Sequence, residues 1–412
     1  MVEVVTGRRL SVGPHAGFWI VAVTFLLVMA YSTLPTPLYP IYQERDGFPP
    51  FVLTLIFASY AVGVVVSLFF AGHISDWVGR RRVLIVAVLV SAASAVLFVF
   101  FTDVPELIVA RFVNGVSIGM LTATATAHLG ELRAAARPDE NAIVAASVSG
   151  AANLGGLSLG PLFGGLFAEY LPNPLMLPHV VFLVILVVAV VALMLVPETV
   201  EPPESRVRYR PQRVSVPPGA GVPFGIAAFG AFSSFAVLGL FTSLAPTFLV
   251  VTFDVRDHLM AGATSFAVFG SAAAAQVLLA RLRLRRQLGL AVAACAIGLA
   301  LIAVGAITPQ LGVFLVGGII AGVGVGLLFK ASLGTVVMLA DPRRKGETLA
   351  LVFLCGYAGL AIPVLGVGWA LGFAPPMPVL LVFAALALVA TVISGLALRR
   401  RATRRTPSPA PA

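Results

Sequence analysis

Two charged side chains interrupt long apolar runs of this 412-residue chain, Arg111 and Lys330. An ionisable group at that depth is expensive to bury, so it marks a functional position by default. Arg111 lies about 5 residues, or ~7 Å, inside the end of its run, close enough that snorkelling to the surface is the competing reading. Lys330 lies about 10 residues, or ~15 Å, from the nearer end, where snorkelling is harder. Its ammonium can carry a proton, pair with an anionic substrate group or sit beside an acid from another segment; a tilted helix that lets it reach water is the alternative. No acid stands in the middle of any apolar run. At 100° per residue, Asn114, Ser117, Thr124 and His128 fall on one face of the helix that carries Arg111, a face suited to a water-filled path. Gly115, Gly119, Thr122 and Thr126 fall on another, suited to close helix packing.

A second group of charges lies between apolar runs, in Gly72-His-Ile-Ser-Asp76-Trp-Val-Gly79-Arg80-Arg81-Arg82. Gly79 permits a tight turn, Asp76 can accept backbone N–H groups at a helix start, and the arginines hold a membrane surface. Glu131 and His128, at the end of the Arg111 helix, are within reach of Asp76 and Arg80. A charged cluster that forms in one state and breaks in another acts as a conformational latch. The blander reading is a helix cap and a topology signal.

Other chemistries find no support. Neither Lys330 nor Lys345 stands in a phosphate-binding loop, which argues against a built-in ATPase. No nucleophile–base pair suggests an enzyme, and no His or Cys spacing suggests a metal. Cys295 and Cys355 lie in apolar runs and read as small buried hydrophobes. His73, His179 and His258 read as surface or interface residues, and His15 belongs to the N-terminal tail. No cofactor is expected.

These residues must be positioned by membrane-spanning helices. The chain is 59% hydrophobic and only 11% charged, with a mean hydropathy of +1.03, and a span takes about 20 mostly apolar residues. Twelve such runs are predicted near 17–42, 51–74, 83–101, 106–129, 142–169, 178–197, 223–251, 259–280, 288–307, 311–339, 348–371 and 378–398. The first is too long for a cleaved signal core. The connections are short except for 198–222, whose arginines and prolines predict a flexible linker between two six-helix halves. Residues 1–16 and the basic stretch 399–412 read as tails, the latter disordered.

Of the 27 basic residues, Arg45 and Arg256 alone fall on one side of these spans, Arg111 and Lys330 lie within them, and all the others fall on the opposite side. That bias predicts that both termini are cytoplasmic. The net charge of +10 is then explained by anionic lipid, with no nucleic-acid partner. Three echoes suggest an internal repeat. Ser32-x-x-Pro35-Thr36 is echoed by Ser243-x-x-Pro246-Thr247, and Arg111-x-x-x-Gly115-x-x-x-Gly119 by Gly318-x-x-x-Gly322-x-x-x-Gly326. Gly160-Pro161-x-x-Gly164 is echoed by Ile362-Pro363-x-x-Gly366.

In its pattern Gly-x-x-x-Asp-x-x-Gly-Arg-Arg, the Gly72–Arg82 loop resembles the cytoplasmic loop between helices 2 and 3 of the major facilitator superfamily, departing at Trp77, where a basic residue is common. Arg111-Phe-Val-Asn114-Gly115 resembles a second motif of that family, whose arginine is linked to proton coupling. Gly156-x-x-x-Gly160-Pro161-x-x-Gly164-Gly165 resembles the motif of its drug–proton antiporters, with Ser147 in place of an earlier glycine. The resemblance implies an all-α fold of twelve transmembrane helices in two pseudo-symmetric six-helix bundles. It implies a monomeric secondary transporter of the cell membrane that moves a small organic compound by alternating access. Proton-coupled efflux is the leading expectation; uptake, metabolite export and a non-transporting sensor are alternatives. Many such antiporters place an acid in helix 1, and this chain has none between Phe18 and Tyr42, so the proton carrier stays unassigned.

Overall fold

The computed structural model describes residues 11–141, 143–200, 209, 211, 214–341 and 344–404. Arg8, Arg9, Arg206, Arg208, Arg210, Arg213, Arg343 and Arg405, all expected on the basic face, lie outside the described residues. Among the described residues, twelve helices are long and apolar enough to cross a membrane: Pro14–Asp46 (α1), Pro50–Ala71 (α2), Arg80–Phe100 (α3), Val104–Ala136 (α4), Val144–Tyr170 (α5), Leu177–Met194 (α6), Gly221–Ser243 (α7), His258–Leu278 (α8), Leu284–Ile307 (α9), Leu311–Leu339 (α10), Gly346–Ala370 (α11) and Pro376–Ala402 (α12). They make a multi-pass membrane protein.

Local chemistry sets the breaks. Pro35 and Pro37 interrupt α1, which is α-helical to Thr33, passes through a 3-10 turn at Thr36–Leu38 and resumes at Tyr39–Asp46. Proline lacks the N–H that continues the ladder. The matching Pro246 begins a separate short helix, Ala245–Phe253, directly after α7. The first echo is therefore a real structural repeat. α4 starts after Asp103 with Glu106 in its first turn and runs to Ala136, with Arg133 in its last turn, well past the expected end near 129. Charges of those signs suit the helix dipole at each end, and Pro138 disfavours continuation. The last helix runs on as far as Arg404 rather than ending near 398, so the start of the basic tail is helical.

The packing repeats with a shift of six helices. In the first half α1 packs on α4, α5 and α6, α2 on α4, and α3 on α4 and α6; in the second half α7 packs on α10, α11 and α12, α8 on α10, and α9 on α10 and α12. The halves meet along α5 with α8 and α2 with α11, two seams that exchange under the same shift. The glycine echo in α4 and α10 is real and keeps its sequence register. Gly115 abuts the Tyr60 carbonyl and Gly119 the Val64 carbonyl of α2, as Gly322 abuts the Val268 carbonyl and Gly326 the Ala272 carbonyl of α8. Gly115 thus corresponds to Gly322, Gly119 to Gly326, and Arg111 to Gly318.

Cross-half contacts lie away from the arginine-rich face. Gly165 meets the His258 carbonyl, and Gly262 meets the Pro161 carbonyl. Ser158 donates to the Phe266 carbonyl at 3.0 Å, Glu169 accepts from the His258 N–H at 3.0 Å, and Gly368 meets Thr54. A groove of about 780 Å³ opens on the flank of the second half, between α7, α11 and α12, and is lined almost wholly by apolar residues such as Phe229, Val382 and Leu386.

Candidate functional site

On the arginine-rich face, the Gly72–Arg82 loop folds as a single helical turn, Ser75–Val78, followed by Gly79 and the start of α3. Gly79 adopts φ 112°, a region that L residues rarely occupy. Arg80 reaches back into this turn, donating to Ser75 Oγ at 2.7 Å and to Asp76, and across to Glu131 of α4 at 3.0 Å. Glu131 also accepts from the Thr199 hydroxyl. The expected grouping of Asp76, Arg80 and Glu131 is therefore present. Arg81 points elsewhere and donates to the Val196 carbonyl at 3.1 Å. His128 donates from Nε2 to the Pro197 carbonyl at 3.1 Å, beside the cluster rather than in it.

The sequence reading missed Glu198. Its carboxylate accepts the Arg80 backbone N–H at 2.8 Å and so caps α3 from the segment that follows α6. The only sequence signal was an acid in Pro197-Glu198-Thr199, immediately after an apolar run. The pairs differ in weight. Asp76 is 59% exposed, so its pair with Arg80 is worth about 0–1 kcal/mol. The Arg80–Glu131 pair is better shielded, and its charge-assisted hydrogen bonds are worth roughly 1.5–3 kcal/mol each before solvent screening. Nearby, Arg133 pairs with Glu140 of the α4–α5 loop and lies over the Phe18 ring at 5.1 Å. The hydrogen bond from Arg133 holds the Glu140 carboxyl below its ordinary range.

The deep polar residues separate into distinct places. Arg111 does not snorkel: it is 2% exposed, with Nη1 donating to the Ser32 carbonyl of α1 at 2.7 Å. Its guanidinium lies over the rings of Tyr60 at 4.6 Å and Phe57 at 5.9 Å, both on α2. Asn114, one turn on, is buried with neither its amide oxygen nor its nitrogen hydrogen-bonded. Ser117 turns to α3 and donates to the Ala87 carbonyl, while Thr124 bonds its own helix at Met120. The single polar face of Asn114, Ser117, Thr124 and His128 is thus divided among different neighbours. Thr126, expected on the packing face, bonds Ser149 of α5 at 2.9 Å.

Lys330 lies in the other half. Its Nζ donates to the Gln276 carbonyl in the last turn of α8, where helix carbonyls are short of partners. His179, expected at a surface or interface, is fully buried, stacked on Phe98 at 4.5 Å with Nδ1 3.2 Å from the Tyr31 hydroxyl.

The α5 glycines form a ridge that faces two helices. Gly156, Gly160 and Gly164 lie against the α1 carbonyls of Leu26, Ala30 and Leu34, while Pro161 and Gly165 lie on the α8 side against Gly262 and His258. No side chain fits at these crossings, so α5 is clamped between its own half and the other.

The Major Facilitator Superfamily model matches residues 20–363. A stretch of 89 residues is 34% identical to the arabinose-proton symporter of Bacillus subtilis, covering 22% of this chain and 19% of that protein. Another of 152 residues is 26% identical to the putative multidrug resistance protein MdtD of Escherichia fergusonii, covering 37% and 31%. These matches span about a fifth and a third of the relatives' own lengths. Two solved structures share the fold. The human organic anion transporter MFSD10 (TETRAN) has a TM-score of 0.67 at 18% identity, over 92% of this chain and 99% of that one. A variant of the nucleoside transporter NupG has a TM-score of 0.71 at 12% identity, over 93% and 99%. The family match across most of the chain, the twelve helices and the repeated packing place this protein in the Major Facilitator Superfamily.

Proposed function

We propose that this transporter is a proton-coupled exporter of a small organic compound, working as a monomer in the cytoplasmic membrane with its arginine-rich face inside. The asymmetry of Arg and Lys supports that orientation, since basic loops are retained on the cytoplasmic side. The observation that carries the direction is the clamped α5 ridge. Gly156, Gly160, Pro161, Gly164 and Gly165 hold α5 against α1 and α8 toward the outer face. A tight seal there keeps protons from leaking past the exporter without a turn of its transport cycle. The multidrug resistance relative supports the same reading.

The cluster of Asp76, Arg80 and Glu131 then acts as the latch. Its hydrogen bonds need differ by only about 1.4 kcal/mol between two states to change their ratio tenfold. Arg111, Asn114, Ser117, Thr124, His128 and Lys330 remain the candidates for the proton and substrate path, with Gly72 to Arg82 controlling access rather than touching cargo.

Proton-driven uptake is the second reading, favoured by the likeness to the arabinose-proton symporter. Everted vesicles separate the two. When respiration acidifies their interior, an exporter loads the compound in a protonophore-sensitive way. Loss of compound from preloaded vesicles on energisation identifies uptake instead.

A further inference from the structure

The repeat provides an internal comparison for Arg111. Both halves build the same crossings, with Gly115 on the Tyr60 carbonyl and Gly119 on the Val64 carbonyl in one, and Gly322 on the Val268 carbonyl and Gly326 on the Ala272 carbonyl in the other. Arg111 then falls opposite Gly318, which packs against the Phe241 ring and the Val268 side chain. The second half therefore builds this position with no charged side chain, and the first half places a guanidinium there.

The surroundings of Arg111 do not satisfy it. Its Nε is buried without a partner. The Tyr39 hydroxyl faces it, also buried and without a well-formed hydrogen bond. Asn114 adds two more orphaned amide atoms. Buried polar groups left in this state ordinarily have a partner that binds to them. No Asp or Glu stands in the apolar middle of any span, and none of the ion pairs among the described residues includes Arg111. The nest also lies next to the seam: Tyr60, stacked on Arg111, faces Tyr357 of α11 edge-on at 6.4 Å.

We propose that Arg111, Asn114 and Tyr39 form a receptor for the anionic group of the transported compound, a carboxylate, sulfonate or phosphate ester, admitted when the halves part between Tyr60 and Tyr357. The guanidinium presents a donor pair that matches two acid oxygens. Asn114 and the Tyr39 hydroxyl each add a donor, and the aromatic faces of Phe57 and Tyr60 flank the site. This rests on the transporter reading above and makes the cargo an organic anion, whichever direction it travels.

The test uses the full chain in detergent and in liposomes, with benzoate, benzenesulfonate and phenyl phosphate as probes and benzamide as the neutral isostere of benzoate. At least one of the three anions should bind and stabilise the wild-type protein while benzamide does not, and the anion that binds tells which acid the site accepts. Arg111→Phe, which removes the charge and keeps the bulk, should remain monodisperse with an unchanged or higher melting temperature, because replacing a buried charge by a packed hydrocarbon is often stabilising. It should bind the anion at least tenfold more weakly. Arg111→Lys, which keeps the charge and loses the fork, should weaken binding by roughly tenfold. If Arg111→Phe fails to fold, Arg111→Lys and the acid–amide comparison on wild type still decide.

Equal binding of benzamide and benzoate, no binding of any anion, or full binding by either Arg111 variant overturns the proposal. Anion binding with no protonophore-sensitive flux of any compound in everted vesicles would keep the receptor and overturn the proton-coupled transport proposed above. Protonophore-sensitive flux confined to neutral or cationic compounds would do the reverse.

Discussion

The carboxylate of Glu198 occupies the space that a side chain at Gly79 would need. A Cβ built on Gly79 meets the Glu198 carboxyl carbon at 2.9 Å, and the backbone there is already at φ 112°. Two separate penalties therefore oppose any larger residue, one from the backbone and one from the cap. Gly79→Ala should cost roughly 1–3 kcal/mol from the dihedral alone, plus the displaced cap. The melting temperature of the purified protein reads the sum. In a double-mutant cycle, Glu198→Ala should recover the steric part while the dihedral part persists, giving a coupling energy of about 0.5–3 kcal/mol. Strict additivity would show that the two residues are independent.

Arg80 joins the loop to α4 chiefly through Glu131. Asp76 is the more exposed partner and, on screening grounds, the weaker one. Glu131→Gln should therefore change the balance of transport states more than Asp76→Asn does. Cysteine labelling from each side of the membrane measures that balance, and the expected change is of order tenfold for Glu131→Gln against less than about threefold for Asp76→Asn. The opposite ranking would make the short-range pair with Asp76 the working latch.

Gly164 and Gly366 occupy echoed positions in α5 and α11, yet their surroundings differ. A Cβ at Gly164 would strike the Leu34 carbonyl and approach Pro37 Cγ at 2.8 Å, whereas Gly366 has nothing within 4 Å. Gly164→Ala should force α5 away from α1 at a cost of about 1–3 kcal/mol, as overpacking does. Gly366→Ala should be neutral or stabilising by up to about 1 kcal/mol, since alanine is the better helix former. Thermal melts compare the two variants directly. Passive proton entry into liposomes tests the seal, and it should rise for Gly164→Ala alone.

The spans were legible because a membrane demands about 20 apolar residues per crossing, a signal carried by each segment alone. Asp76 and Arg80 were legible because residues four apart meet on a helical turn. Glu198 was not, because its role depends on the end of α6 folding back beside the start of α3, far away in sequence. The glycine echo shows a subtler limit. A Gly-x-x-x-Gly-x-x-x-Gly pattern maps onto itself when moved by four residues, so spacing alone leaves the alignment of α4 with α10 ambiguous by one turn. Backbone neighbours remove that ambiguity: Gly115 and Gly119 meet the carbonyls of Tyr60 and Val64 as Gly322 and Gly326 meet those of Val268 and Ala272, so Arg111 falls opposite Gly318. Lys330 was placed by depth along its own helix, which takes no account of a neighbouring helix that ends beside it and offers the Gln276 carbonyl.

Glu140 gives the α4–α5 loop an acid-sensitive tether. Its carboxyl is held below the ordinary range by Arg133, with Arg137 adding a weaker hydrogen bond at 3.4 Å. A carboxyl whose folded value is depressed contributes fully above its unfolded value and loses that contribution as pH falls through the folded one. The tether should therefore be intact at neutral pH and should loosen only as the medium becomes more acidic than ordinary carboxylates require. A spin label at an Asp139→Cys site, in a chain whose two native cysteines are replaced, should be immobilised at neutral pH and gain mobility only in a medium more acidic than ordinary carboxylates need for protonation. Glu140→Gln should show the mobile spectrum under both conditions. Equal mobility of parent and variant at pH 7 would mean that Arg133 anchors α4 through Phe18 alone and that Glu140 is a bystander at its surface.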